Sequence, residues 1–267
     1  MTPKSYLDRI HFFGTASPDL ATLFRLTNAH LSTIPFENLD QQMGVAVSTD
    51  LERVYDKVVL RQRGGWCFEL NGLFAWLLQE IGFDVAMHAG FVTPDKPAKD
   101  AVGDHMFLIV NCGGPYLVDV GFGGGPWEPV PLRGGVSTQP PYTITISPED
   151  DGWYRYSETT KGNDGCYWFT LDAVDTSYFR PSNLRLQTDP TSSFKRTLTA
   201  QRRFDGKHVV LRGLVKKTYE PHGVSTEHLR NEEALVHCLL NDFGLDVPQI
   251  SSLWPSLKKR HDALFPA

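Results

Sequence analysis

Arg63-Gly64-Gly65-Trp66-Cys67-Phe68-Glu69-Leu70-Asn71 leads into an apolar run with helical spacing. Leu70, Leu73, Phe74, Leu77, Leu78 and Ile81 recur on one face, and Gly82 ends the pattern. The paired glycines mark a turn, so Cys67 falls in the first turn of the helix. Unpaired N–H groups and the helix dipole favour an anion there, and Arg61 and Arg63 stand close in sequence. A thiol so placed ionises more readily than a free one, and the thiolate is the nucleophile. The plainer reading makes Cys67 a small buried apolar side chain, as most single cysteines are. The choice turns on partners further along the chain.

Upstream, the chain reads as helical. Ser17-Pro18-Asp19 supplies a cap and then proline at the first helical position. Leu20, Leu23, Phe24 and Leu31 form an apolar stripe running up to Pro35. A second helix follows Ser48-Thr49-Asp50, with Leu51, Val54, Tyr55 and Val58 on one face. Between the two, Pro35-Phe36-Glu37-Asn38-Leu39 reads as a loop anchoring one aromatic in the core.

Downstream, near Val85, the period changes from helical to alternating. Strands are predicted at 85–92, 105–110, 116–120, 142–146, 153–158 and 167–171, with a polar, proline-bearing loop over 94–103. Gly121-Phe122-Gly123-Gly124-Gly125-Pro126 reads as a flexible turn after the third strand. This middle third predicts a small sheet or barrel. Residues 208–211 and 214–219 predict a hairpin around Gly213. Asn231-Glu232-Glu233 then begins a helix with Leu235, Val236, Leu239 and Leu240 on its face and Gly244 at its end.

Composition bounds the function. A chain of 267 residues holds one large domain or two to three small ones. Its net charge of −5 gives no basic excess for nucleic acid or an anionic membrane. The first residues carry charge and lack an apolar signal core, and no apolar run approaches the ~20 residues of a membrane span. Cys67, Cys112, Cys166 and Cys238 are scattered, with no C-x-x-C pair, so no disulfide framework is expected. The expectation is a soluble, cytoplasmic protein with reduced thiols.

Two residues are candidates for partners of Cys67. Asp119 sits within Tyr116-Leu117-Val118-Asp119-Val120, where a carboxylate is costly to bury unless paired. Alternation alone equally allows it to face solvent from an edge strand. His105 opens the apolar run Met106-Phe107-Leu108-Ile109-Val110, and a histidine there is more often structural than catalytic. Together they say more. Two neighbouring strands joined by Asn111-Cys112-Gly113-Gly114-Pro115 can set His105 beside Asp119. A carboxylate on one imidazole nitrogen fixes its tautomer, and the other nitrogen can then take the thiol proton.

The nine residues from Arg63 to Asn71 resemble the signature of the arylamine N-acetyltransferase family. Pro35-Phe36-Glu37-Asn38-Leu39, Asp104-His105-Met106 and Val118-Asp119-Val120-Gly121-Phe122-Gly123 match that family in order and approximate spacing, as does Tyr6-Leu7-Asp8-Arg9-Ile10. The resemblance implies an α+β fold with a cysteine-protease/transglutaminase-like core. Its parts would be a helical bundle over 1–84 carrying the cysteine, a β-barrel-like domain over 85–190 carrying the histidine and aspartate, and an α/β lid over 191–267. It implies a Cys67–His105–Asp119 triad that takes acetyl from acetyl-CoA and passes it to an aromatic amine, hydrazine or N-hydroxyarylamine, without a metal. Phe36 and Phe122 match aromatics lining the acceptor pocket. Gly123, Gly124 and Gly125 match a glycine turn near the coenzyme, and Phe204 a lid aromatic near it. The residue before the histidine is often a hydroxyl in this family, and is Asp104 in this chain. The short connection from barrel to lid resembles bacterial or fungal members, as a monomer or homodimer.

Three other readings stay open at this level. A papain-like thiol hydrolase would use water in place of the amine. A binding protein would merely bury Cys67. A metal site from Cys67, His105 and Asp119 lacks the close ligand pairs typical of zinc.

Overall fold

The predicted helix runs Cys67–Ile81 and forms the centre of the first core, with Leu70, Leu73, Phe74, Leu77 and Leu78 fully buried. Gly82 closes it with φ +102°, a left-handed conformation that glycine adopts without strain. The computed structural model describes residues 1–98 and 100–264.

Around this helix pack Pro3–Arg9, Leu20–Thr33 and Leu51–Tyr55, the last continuing as a π-helical turn, Asp56–Leu60. The Leu20–Thr33 helix starts two residues later than its proline cue predicts. The Asp19 carboxylate, which accepts from Thr22 N at 2.8 Å, is the cap, and Pro18 lies outside. Asp50 caps Leu51–Tyr55 in the same way, through Arg53 N.

The middle of the chain forms an eight-stranded, barrel-like antiparallel sheet. Its order is Val130–Pro131, Pro115–Val118, His105–Asn111, Asp84–Phe91, Gly165–Val174, Tyr154–Thr159, Tyr142–Pro148 and Gly135–Gln139. Phe107, Leu117, Ile144, Tyr156, Tyr167 and Phe169 fill its interior. Gly135–Gln139 has no apolar alternation because most of it faces solvent, so pattern reading passes over it.

A second, five-stranded sheet follows the order Phe36–Glu37, Thr199–Phe204, Lys207–Arg212, Val215–Glu220, Gly223–His228. Its first strand corrects the loop expected at 35–39. Phe36 pairs with Gln201 and Glu37 with Ala200, and Glu37 N donates to Gly65 O at 2.9 Å. Two residues are too few to show any period; the pairing comes from the partner strand. The helix Glu232–Phe243 is capped by Asn231 and ended by Gly244, and packs Leu235 and Leu239 onto this sheet. No helix among the described residues is long and apolar enough to cross a membrane.

Candidate active site

The start of the Cys67 helix is braced by buried charge. Lys57 Nζ reaches Glu69 Oε1 at 2.9 Å and Asp40 Oδ2 at 3.0 Å. Arg63 Nη2 reaches Glu37 Oε1 at 2.7 Å and Asp40 Oδ1 at 3.0 Å. Glu69 also accepts from Trp66 N at 3.1 Å, the N3-to-cap contact of a capping box. Burial pushes the Glu69 carboxyl up to about 7, against the pull of Lys57. The two arginines expected to favour a Cys67 anion are thus engaged elsewhere. Arg63 serves Glu37 and Asp40, and Arg61 pairs with Asp56 at 2.8 Å in solvent.

His105 is the first residue of its strand, beside Pro115–Val118 in the sheet. The predicted strand 116–120 ends at Val118, so Asp119 leaves the ladder and turns inward. It is fully buried, which overturns the solvent-facing alternative. His105 Nε2 lies 2.6 Å from Asp119 Oδ2. Tyr167 OH donates to the same oxygen at 3.2 Å. On Oδ1, Asn71 Nδ2 donates at 2.9 Å and Gly121 N at 3.0 Å. Both carboxylate oxygens are therefore fully engaged. Burial works against an imidazolium at His105, but Asp119 and a hydrogen bond with the Cys67 side chain together raise its pKa to about 10. With Nε2 turned to Asp119, Nδ1 is the nitrogen left for Cys67.

Asn71 escapes sequence reading as a site residue. It is fully buried, donates to Met106 O at 2.6 Å as well as to Asp119, and accepts from Val120 N at 2.9 Å. The available signal is its place one helical turn after Cys67, a polar side chain on an otherwise apolar helix. Gly121 is required by close approach: a Cβ there would stand 2.7 Å from Cys67 Cα and 2.6 Å from Asn71 Nδ2.

Cys67 and His105 open on a cavity of about 640 Å³ that Phe36, Phe122 and Gly124 also line. The Phe122 ring centroid is 5.0 Å from that of His105. Phe194, which has no sequence cue, closes one side, 6.1 Å from Phe36 and 5.1 Å from Trp66 between centroids. Gly123 and Gly125 belong to the same turn but are not part of the wall. Phe204 packs against the C-terminal core under the Arg202 guanidinium, 4.6 Å from its ring centroid, away from the cavity wall. Among the described residues, no three His, Cys, Asp or Glu side chains are placed to hold a metal ion.

A thiol at a buried helix start, facing an imidazole and a carboxylate on a barrel-like sheet, defines the cysteine-protease-like fold class. Residues 19–251 match the N-acetyltransferase family model. Over 261 residues the chain is 36% identical to the arylamine N-acetyltransferase of Mycobacterium tuberculosis H37Rv, covering 92% of this chain and 90% of that protein. The solved M. tuberculosis enzyme superposes with TM-score 0.87 at 32% identity, over 97% of this chain and 99% of that one. The Mycobacterium marinum arylamine N-acetyltransferase, solved in complex with CoA, gives TM-score 0.85 at 33% identity over 93% and 94% of the two chains. The chain belongs to the arylamine N-acetyltransferase family, enzymes that depend on acetyl-CoA.

Proposed function

We propose that this protein moves an acetyl group from acetyl-CoA to a small aromatic amine, hydrazine or N-hydroxyarylamine through an acetyl-Cys67 intermediate. The observation that carries the reading is that the Cys67 thiol, at its helix start, and the His105 imidazole, held by Asp119, share the wall of one cavity.

In the first half-reaction, Cys67 Sγ attacks the thioester carbonyl, and the free N–H groups of the first helical turn face the developing oxyanion. The carbonyl–sulfur bond to the coenzyme breaks, and the His105 imidazolium protonates the departing thiolate. In the second, the amine nitrogen attacks the acetyl carbon on Cys67. His105, now neutral, takes the amine proton, and the Cys67–acetyl bond breaks. Asp119 keeps the imidazole in the tautomer that both steps need. Phe36 and Phe122 offer flat apolar surfaces to an aryl ring. Gly124, the residue of the glycine turn that lines the cavity, gives the acyl donor a stretch of wall without a side chain. The four cysteines are free, as befits a cytoplasmic enzyme.

Intact mass tests the reading. Acetyl-CoA alone should add one acetyl group to the protein, on Cys67, and an arylamine should then remove it as the N-acetyl product. Double-reciprocal plots at several fixed amine concentrations should be parallel. Loss of the acetyl to water at the same rate with and without amine would instead identify a thiol hydrolase.

A further inference from the structure

Glu158 is a buried carboxyl that the transfer chemistry leaves unused. It lies on Tyr154–Thr159, is 3% exposed and lines the Cys67 cavity. A buried carboxylate is costly unless donors fill its lone pairs, of which there are about four. Tyr156 OH donates to Oε2 at 2.8 Å. The guanidinium nearby, that of Arg203, donates instead to the carbonyls of Gly125, Gln139 and Pro140. Acceptor capacity is therefore left over on the cavity side.

Two glycines keep other side chains off this carboxylate. A Cβ at Gly124 would collide with Glu158 Oε1. A Cβ at Gly165 would stand 3.0 Å from Glu158 Oε1 and 2.9 Å from Phe122 Cε1. Phe122 Cε1 and Glu158 Oε1 thus both border the space beside Gly165, and the Phe122 ring centroid lies 5.0 Å from that of His105. A flat acceptor lying along Phe122 can present one end to the His105 imidazole and the other to Glu158. Asp104 and Asp164 line the same cavity, as does Arg212.

We propose that Glu158 sets acceptor choice. It accepts a hydrogen bond from a donor group on the acceptor, remote from the reacting nitrogen, and repels an acceptor that carries a carboxylate there. This rests on the acetyl-transfer reading above. The physical basis is selection by mismatch. Burial pushes the Glu158 carboxyl up to about 7, against the pull of Arg203. Above that pH, where the test is run, a second carboxylate brought into a low-dielectric cavity meets a like charge, whereas a hydroxyl fills a vacant lone pair.

The test compares 4-aminophenol with 4-aminobenzoate in the native protein and in Glu158→Gln, which keeps the shape and removes the charge. The ratio of kcat/KM for aminophenol over aminobenzoate should fall by about tenfold or more in the variant, mainly through a lower KM for aminobenzoate. An unchanged ratio in a folded variant overturns the proposal, because a merely structural role would depress both substrates together. Calorimetry on the native protein without acyl donor provides a second arm that needs neither the variant nor turnover. Aminophenol should bind about tenfold more tightly than aminobenzoate, and equal affinities also overturn the proposal. If neither amine is acetylated, the transferase reading fails, while the calorimetric comparison still decides the role of Glu158.

Discussion

Replacing Asp119 by Asn should disable the site through a single proton. Asn71 Nδ2 and Gly121 N both donate to Oδ1, so the new side chain must keep its oxygen there. Its NH2 then takes the place of Oδ2 and points at His105 Nε2. That nitrogen must become an acceptor, which moves the ring proton to Nδ1, the nitrogen facing Cys67. The imidazole can then no longer take a proton from the thiol. The charge is lost as well. Raising an imidazole from 6.5 to about 10 favours the imidazolium by about 5 kcal/mol, at 1.36 kcal/mol per pH unit. Most of that stabilisation comes from the Asp119 carboxylate and should vanish with it. The expected loss in the rate of acetyl-Cys67 formation is about 10³- to 10⁴-fold, in line with the amide substitution in serine proteases. The assay is single-turnover release of the coenzyme thiol. The pH dependence of stability supplies an independent readout. A histidine whose folded pKa is raised adds stability that is complete below 6.5 and is lost as pH climbs through about 10. The native protein should lose stability across that window, and Asp119→Asn should lose much less. A variant with native fold that retains more than a tenth of the native rate would refute the reasoning.

Other perturbations follow from the same geometry. Cys67→Ser should fold normally and keep under about a tenth of the activity, because a hydroxyl of similar size stays protonated beside the imidazole; near-native turnover would remove Cys67 as the nucleophile. Gly121→Ala places a Cβ 2.7 Å from Cys67 Cα. It should cost about 1–3 kcal/mol in denaturant unfolding and displace the thiol, so unchanged stability together with full activity would contradict the close approach. Asn71→Ala leaves Val120 N and Met106 O without their side-chain partner, at about 1–3 kcal/mol for each stranded buried group. It should lower both Tm and kcat, and an unmoved Tm would mean that water replaces the amide.

Local pattern was enough for the elements that carry their own signals. The Cys67 helix announces itself by apolar spacing, a preceding glycine pair and a terminal glycine, all within one short stretch. The strands that bear His105 and precede Asp119 show in the change of period after Gly82. The helix from Glu232 shows in its Asn cap and its closing glycine. Neighbouring strands set His105 beside Asp119 in the sequence reading, and family resemblance joined both to Cys67 across the longer gap.

Tertiary structure decided whatever depends on groups distant in the chain. Asn71 joins Asp119 across 48 residues, and Arg63 joins Glu37 across 26, because burial makes each polar group find a partner wherever the fold brings one. Phe36–Glu37 is a strand because Gln201 and Ala200 lie along one side of it and Gly65 along the other. Asp119 faces inward because its strand stops one residue before it, which alternation cannot reveal. Glu158 looks like one more charge in a half-exposed strand until Gly124, Gly165 and Phe122 close around it. The sequence by itself determined the helix that presents the thiol, since helical period and capping act between near neighbours. The wall opposite the thiol, and the charges in it, belong to the packing of three separate cores.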